Sequence, residues 1–233
     1  MSIETSSSLL ARMRRRLSGG VDFGSFGSTA PISREFGYDR GRPIDRYYIE
    51  GWLERHACDI RGRALEVGDA TYCRRFGGDH VTRQEVLHVR ADAPEATLVG
   101  DLAAGGVLPA ASLDSMVLTQ TLHLIYDMRA AVAEIHRGLA PGGVALVTVP
   151  GISQIDAEEW GGAWCWSLTE RSARRLFEDE FGAGKVQVET FGNVYAATAF
   201  LQGLAFEEVE RRKLDVRDPC YPVVVAVRAV RTD

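Results

Sequence analysis

Lysine is almost missing from this chain: it stands only at Lys185 and Lys213, and arginine supplies the rest of the positive charge. With 27 Lys and Arg against 32 Asp and Glu, the formal charge is -5 and the pI lies near 5.6. That balance gives no broad electrostatic case for nucleic acid, and neither a long basic track nor an aromatic base-flipping motif is evident. Cysteine is sparse as well. Cys58, Cys73, Cys165 and Cys220 lie far apart, without the paired spacing of a zinc site or a redox motif, so no metal and no disulfide framework is expected and a reducing cytoplasm fits. No apolar run has the length of a membrane helix, and the N-terminus lacks the apolar core of a signal peptide. The expectation is a soluble, cytoplasmic protein with no integral membrane segment. Internal repeats and an interdomain linker are also lacking, and 233 residues suffice for one substantial core.

What is present is organised around Arg63 to Tyr72. Ala64, Leu65 and Val67 make a short apolar strand that ends at Glu66 and Gly68, and a helix-compatible run follows. Gly68 gives room for the turn, the next helix would offer exposed N–H groups to a ligand, and Glu66 and Asp69 add acceptors suited to hydroxyls or a cationic cofactor. A turn whose acids meet only solvent or local backbone donors is the structural alternative. The full Gly-x-Gly-x-x-Gly fingerprint of dinucleotide binders is missing, which favours a nucleoside with little negative charge over a dinucleotide.

Upstream, Leu9, Leu10, Met13 and Leu17 could share one face of a basic helix on an N-terminal arm. Pro43, at a first-turn position, introduces a helix with Ile44, Tyr47, Tyr48, Ile49, Trp52 and Leu53 on its apolar face; Arg46 and Glu50 are spaced for a surface ion pair, with a role in substrate or cofactor binding as the alternative. Downstream, strands are expected at Glu85 to Val89, Ala96 to Val99, Leu113 to Leu118, Val144 to Val149, Val186 to Val188 and Tyr221 to Val230. Helices are expected from Asp127 to Leu139, from a Thr169 cap through Phe181, and from Tyr195 to Leu204. This order argues for an open, mainly parallel sheet with a ligand across the carboxyl ends of its strands. His88 reads as a packed histidine. Asp101 could cap local backbone or receive an adenine amino group, and His123, past the fourth strand, could handle a proton or form a cofactor wall. Trp160, Trp164 and Trp166, near Glu158 and Glu159, mark a long covering loop that could contact substrate or simply pack.

Leu65-Glu66-Val67-Gly68, Gly100-Asp101-Leu102, Leu118 to His123 and Leu139-Ala140-Pro141-Gly142-Gly143 follow one another in an order that resembles the class I S-adenosylmethionine-dependent methyltransferases, especially small-molecule enzymes related to those found beside or fused to glycosyltransferases. The resemblance covers roughly Phe36 to Val230. It implies an α/β, Rossmann-like fold with a seven-stranded mixed sheet whose last strand is antiparallel, in a single methyltransferase-like domain at 36–233 behind a flexible arm at 1–35. It further implies S-adenosylmethionine as cofactor, held by Glu66, Gly68, Asp69, Asp92, Asp101, Leu102, Thr119 and Gln120. Asp92 would stand in for the acid that usually ends the second strand, where this chain has His88, Val89 and Arg90. His123 is the candidate for proton handling, and Tyr48, Trp160, Trp164 and Trp166 are the candidates for substrate contact. The activity implied is methyl transfer to oxygen, nitrogen or activated carbon of a small metabolite in secondary metabolism, such as a sugar-containing natural product. A noncatalytic binding or scaffold protein on the same fold is the alternative. The partner is then a small-molecule substrate, and a homodimer is the candidate assembly.

Overall fold

Strand residues along this chain alternate between two apolar faces, and the sheet they build separates two cores. In a computed structural model, residues 24–157 and 160–232 are described. Seven strands form one sheet in the order β3-β2-β1-β4-β5-β7-β6. They are β1 (Gly62–Val67), β2 (Val81–His88), β3 (Leu98–Val99), β4 (Leu113–Thr119), β5 (Leu139–Pro150), β6 (Val186–Phe191) and β7 (Val224–Val230). The first five pair in parallel, whereas β7 runs antiparallel to both β5 and β6. The fold class expected from the sequence is therefore present.

The alternation is explicit in β5. Ala145, Val147 and Val149 enter one core, Val144 and Leu146 the other, as the two-residue period of a strand requires. The first core is closed by α2 (Met128–Gly138) and α3 (Glu170–Phe181). The second is closed by α1 (Ile44–Arg55), α4 (Val194–Leu201) and the single turn α5 (Arg211–Leu214). Side chains define the starts of three helices: Asp127 Oδ1 accepts from Ala130 N, Thr169 forms a reciprocal cap with Ser172, and Asn193 Oδ1 accepts from Ala196 N. Helix α1 differs, since its N-cap is Pro43, which has no side-chain donor or acceptor.

Several boundaries move. Pro43 precedes α1 instead of entering its first turn, and β7 begins at Val224, after the Asp218 to Tyr221 turn. Ala140 to Gly143 is not a simple turn but an irregular start to β5, where the β4 register slips between Leu113 and Ser115. A side chain at position 143 would come within 2.8 Å of both Ala140 O and Leu113 O, which is why that position needs glycine. The larger departure follows β1: no regular α-helix forms there, only a two-residue helical start that opens into a π-helical turn, Cys73–Gly77.

The chain divides into two units, Met1–Pro31 and Ile32–Asp233. Of the former only 24–31 are described, with a 3-10 turn at Gly24–Phe26. The basic helix expected around Leu9 to Leu17 and most of the arm lie outside the described residues, as do Glu158 and Glu159. Among the described residues no helix is long and apolar enough to cross a membrane.

Candidate functional site

A cavity of about 980 Å³ opens where β1, β2, β4 and β5 end. Parallel strands leave their loops diverging at that edge, which makes it the natural ligand crevice of an open sheet. Val67, Gly68 and Asp69 line it from β1, His88 from β2, Thr119 and Gln120 from β4, and Pro150 from β5.

The turn after β1 is held from within. Glu66, 3% exposed, accepts from Tyr72 N at 3.1 Å and from Cys73 N at 2.7 Å. Burial pushes its carboxyl up to about 7, against the pull of those two amides. Glu66 is not part of the cavity wall, so the acceptor and the helix-start donors expected to meet a ligand satisfy one another instead. Gly68, at φ 98, and Asp69 do line the cavity, and Asp69 Oδ1 accepts from Thr71 N at 2.7 Å.

Past β4 the backbone is strained. Gln120 has φ 48, a left-handed conformation unusual for a residue with a side chain, and its Nε2 is buried without a partner. Three residues on, His123 is 2% exposed, its Nδ1 is also unpartnered, and burial lowers its pKa to about 4. Trp164 meets the imidazole edge-on, and Phe36 stacks on Trp164 with centroids 6.3 Å apart. The tryptophan loop is thereby tied to His123, whose carbonyl also accepts from Cys165 N and Trp166 N.

The opposite wall comes from α1. Arg46 Nε–H donates to Tyr38 Oη at 2.9 Å, while its Nη1 is buried with no partner. Asp45, 9% exposed, has an unpartnered Oδ1, and burial raises its pKa while the charge of Arg46 pulls the other way. The expected Arg46–Glu50 pair does not form, because Glu50 binds Arg75 at 2.8 Å and Arg42 at 3.4 Å.

Asp101, Leu102, Thr119, Trp160 and Trp164 line the cavity; Asp101 also caps the short helix after it through Ala103 N at 2.8 Å. Tyr48, Asp92 and Trp166 do not. Tyr48 is buried in the second core with its hydroxyl on Leu214 O, Trp166 stacks on the lining residue Tyr126 without lining the cavity itself, and Asp92, with a side chain 81% exposed, faces Arg90. The β2 end that Asp92 was expected to serve is occupied by His88, whose Nδ1 accepts from Arg90 N at 3.0 Å. Among the lining residues, the sequence reading gives Arg46 first as a surface ion-pair partner and His88 as a packed histidine, and assigns Asp45 no role. An acidic-basic pair directly after a helix-opening proline was the one available signal. Among the described residues no cluster of His, Cys, Asp or Glu could hold a metal ion.

Residues 64–147, the span from β1 into β5, match the family model described as a methyltransferase domain. That span is less than half of the chain's 233 residues. Its fold is that of an S-adenosylmethionine-dependent methyltransferase from Mesorhizobium loti, at 18% identity and TM-score 0.55, with 84% of this chain and 100% of that one aligned. A methyltransferase from Archaeoglobus fulgidus aligns at 11% identity and TM-score 0.52 over 80% and 94% of the two chains. One from Listeria monocytogenes aligns at 9% and 0.52 over 81% and 99%. No curated protein sequence matches the chain. The matched span supplies Gly68, Asp69, Asp101, Thr119, Gln120 and His123 to the cavity; Asp45, Arg46 and the tryptophan loop come from outside it.

Proposed function

We propose that this chain transfers a methyl group from S-adenosylmethionine to an oxygen, nitrogen or activated carbon of a small metabolite, with sugar-containing natural products as the acceptor class to test first. One observation carries the reading: Asp45 Oδ1, Arg46 Nη1, Gln120 Nε2 and His123 Nδ1, all buried and unpartnered, belong to residues lining a single cavity. Buried polar atoms are normally satisfied. A set containing an anion, a cation and neutral donors and acceptors suits a ligand that is both zwitterionic and rich in nucleoside polar groups, and S-adenosylmethionine is one.

Gly68 and Asp69, Asp101 and Leu102, and Thr119 and Gln120 would hold the cofactor across the strand ends. When bound, S-adenosylmethionine supplies a methyl already activated by positive sulfur, so the protein's task is to align the acceptor, exclude water and manage a proton. His123 suits the last of these. Its buried Nδ1 has no protein partner and, in the Nε2-protonated tautomer, would offer a lone pair for the proton the acceptor loses, while burial keeps the ring neutral and makes it a weaker base than a free imidazole. Trp160 and Trp164 give the acceptor an apolar wall.

The test begins with titration calorimetry of the folded protein against S-adenosylmethionine and S-adenosylhomocysteine, for which saturable binding is expected. Incubation with candidate metabolites should then yield a product heavier by one methyl group. Folded protein that binds neither nucleoside would refute the cofactor assignment, and cofactor binding without methyl transfer to any acceptor would favour a scaffold role.

A further inference from the structure

The turn after β1 spends its Tyr72 and Cys73 amides on Glu66, so these two donors do not face an anionic ligand group in this cavity. Among the described lining residues, arginine or lysine occurs only at Arg34 and Arg46, and Arg34 is exposed. Arg46 is different in kind. Its Nε–H is committed to Tyr38, which fixes the plane of the guanidinium, and Nη1 is left buried and without a partner. Its sequence neighbour Asp45 presents an unpartnered, buried Oδ1 in the same wall. Both stand in the first turn of the twelve-residue helix α1, whose N-terminal amides receive no side-chain cap and whose dipole favours negative charge there.

Leaving one buried carboxylate oxygen and one buried guanidinium nitrogen unmatched is costly. A ligand group bearing adjacent negative and positive charges would satisfy both at once, and an α-amino acid is such a group. On the reading that the cavity binds S-adenosylmethionine, we infer that Arg46 receives the α-carboxylate and Asp45 the α-ammonium of its methionyl end. The charged pair thereby does the work that the Tyr72 and Cys73 amides, turned inward to Glu66, do not do for a ligand. Recognition of the amino-acid end then lies on a helix N-terminal to the matched domain, with the nucleoside on the strand-end loops.

The experiment compares S-adenosylmethionine with its decarboxylated form, and S-adenosylhomocysteine with 5′-methylthioadenosine, which lacks the amino-acid head, by titration calorimetry. Wild-type protein should bind each amino-acid-bearing ligand at least tenfold more tightly than its truncated partner. Arg46→Gln should weaken S-adenosylhomocysteine at least tenfold and leave 5′-methylthioadenosine within twofold; Asp45→Asn should act in the same direction, and Arg46→Lys should recover part of the loss. Thermal unfolding of each variant checks that it is folded, and the wild-type comparison stands even where a variant is not. Equal wild-type affinity for the full and truncated ligands overturns the inference, as does a folded Arg46→Gln protein that keeps its preference or shows only a raised KM for the acceptor. Wild-type protein that binds none of the four ligands overturns the underlying cofactor reading, and the inference with it.

Discussion

The imidazole of His123 and the indole of Trp164 meet edge-on with centroids 4.3 Å apart, so the loop after β5 seals the one histidine buried at the strand ends. If His123 takes the acceptor's proton, His123→Ala should lower kcat by roughly 10²-fold, the low end of general-base contributions, and leave the Kd for S-adenosylhomocysteine within about twofold. Calorimetry together with steady-state kinetics measures both. A parallel loss in cofactor affinity would mean that His123 is part of the cofactor wall.

Two buried groups should impose opposite pH slopes on stability. His123 drops from 6.5 to about 4 on folding, so its contribution is complete above pH 6.5 and lost as pH falls toward 4. Glu66 rises from 4.5 to about 7, so its contribution is complete below pH 4.5 and lost as pH climbs through 7. Each shift corresponds to something on the order of 3 kcal/mol. Between pH 4.5 and 6.5 the two oppose one another. Thermal melts of wild type should be nearly flat there, whereas His123→Leu should lose stability with rising pH and Glu66→Gln should gain it. Glu66→Gln should also be less stable at pH 5 by about 1–3 kcal/mol, because an amide can accept from only one of the two turn amides and sets a donor against the other.

Strain at Gln120 should be separable from its use. Gln120→Gly relieves a left-handed φ of 48 and should raise stability by roughly 1 kcal/mol. The same change deletes the unpartnered Nε2 donor and should weaken S-adenosylhomocysteine severalfold. Melting temperature and Kd moving in opposite directions is the expected signature.

Two of the three aspartates expected to meet the cofactor should behave differently. Asp92→Ala should leave S-adenosylhomocysteine affinity within about twofold, since Asp92 projects away from the cavity toward Arg90. Asp101→Ala should cost roughly tenfold, the value of a hydrogen bond to an adenine amino group together with the lost cap on Ala103 N.

The sheet was legible because its signals are local. The short apolar runs of Leu113 to Leu118 and Val144 to Val149 and the helix starts at Asp127 and Thr169 are properties of a few neighbouring residues, and these elements appeared within a few positions of their expected places. Cavity-lining positions were readable from strand ends at Gly68, Asp101 and Gln120 and from the tryptophan-rich loop at Trp160 and Trp164. What Glu66 accepts from, and what Glu50 pairs with, depend on side chains brought together by tertiary structure. The i,i+4 spacing of Arg46 and Glu50 is compatible with a pair, but Arg75, twenty-five residues beyond Glu50, competes for the carboxylate and gains it. Helix propensity after Gly68 was likewise overridden, because the Glu66 carboxylate gathers the Tyr72 and Cys73 amides just as the chain opens into its π-helical turn.

That inward-facing carboxylate has a consequence for how the cavity forms. A loop whose amides waited for a ligand would have to be ordered at the moment of binding, and its entropy would be subtracted from the affinity. Here the floor below Gly68 is already set. Amide hydrogens of Tyr72 and Cys73 should exchange slowly with solvent in ligand-free protein and gain little further protection when S-adenosylhomocysteine is added. New protection should instead concentrate around Gln120 and the first turn of α1, where the unsatisfied groups are.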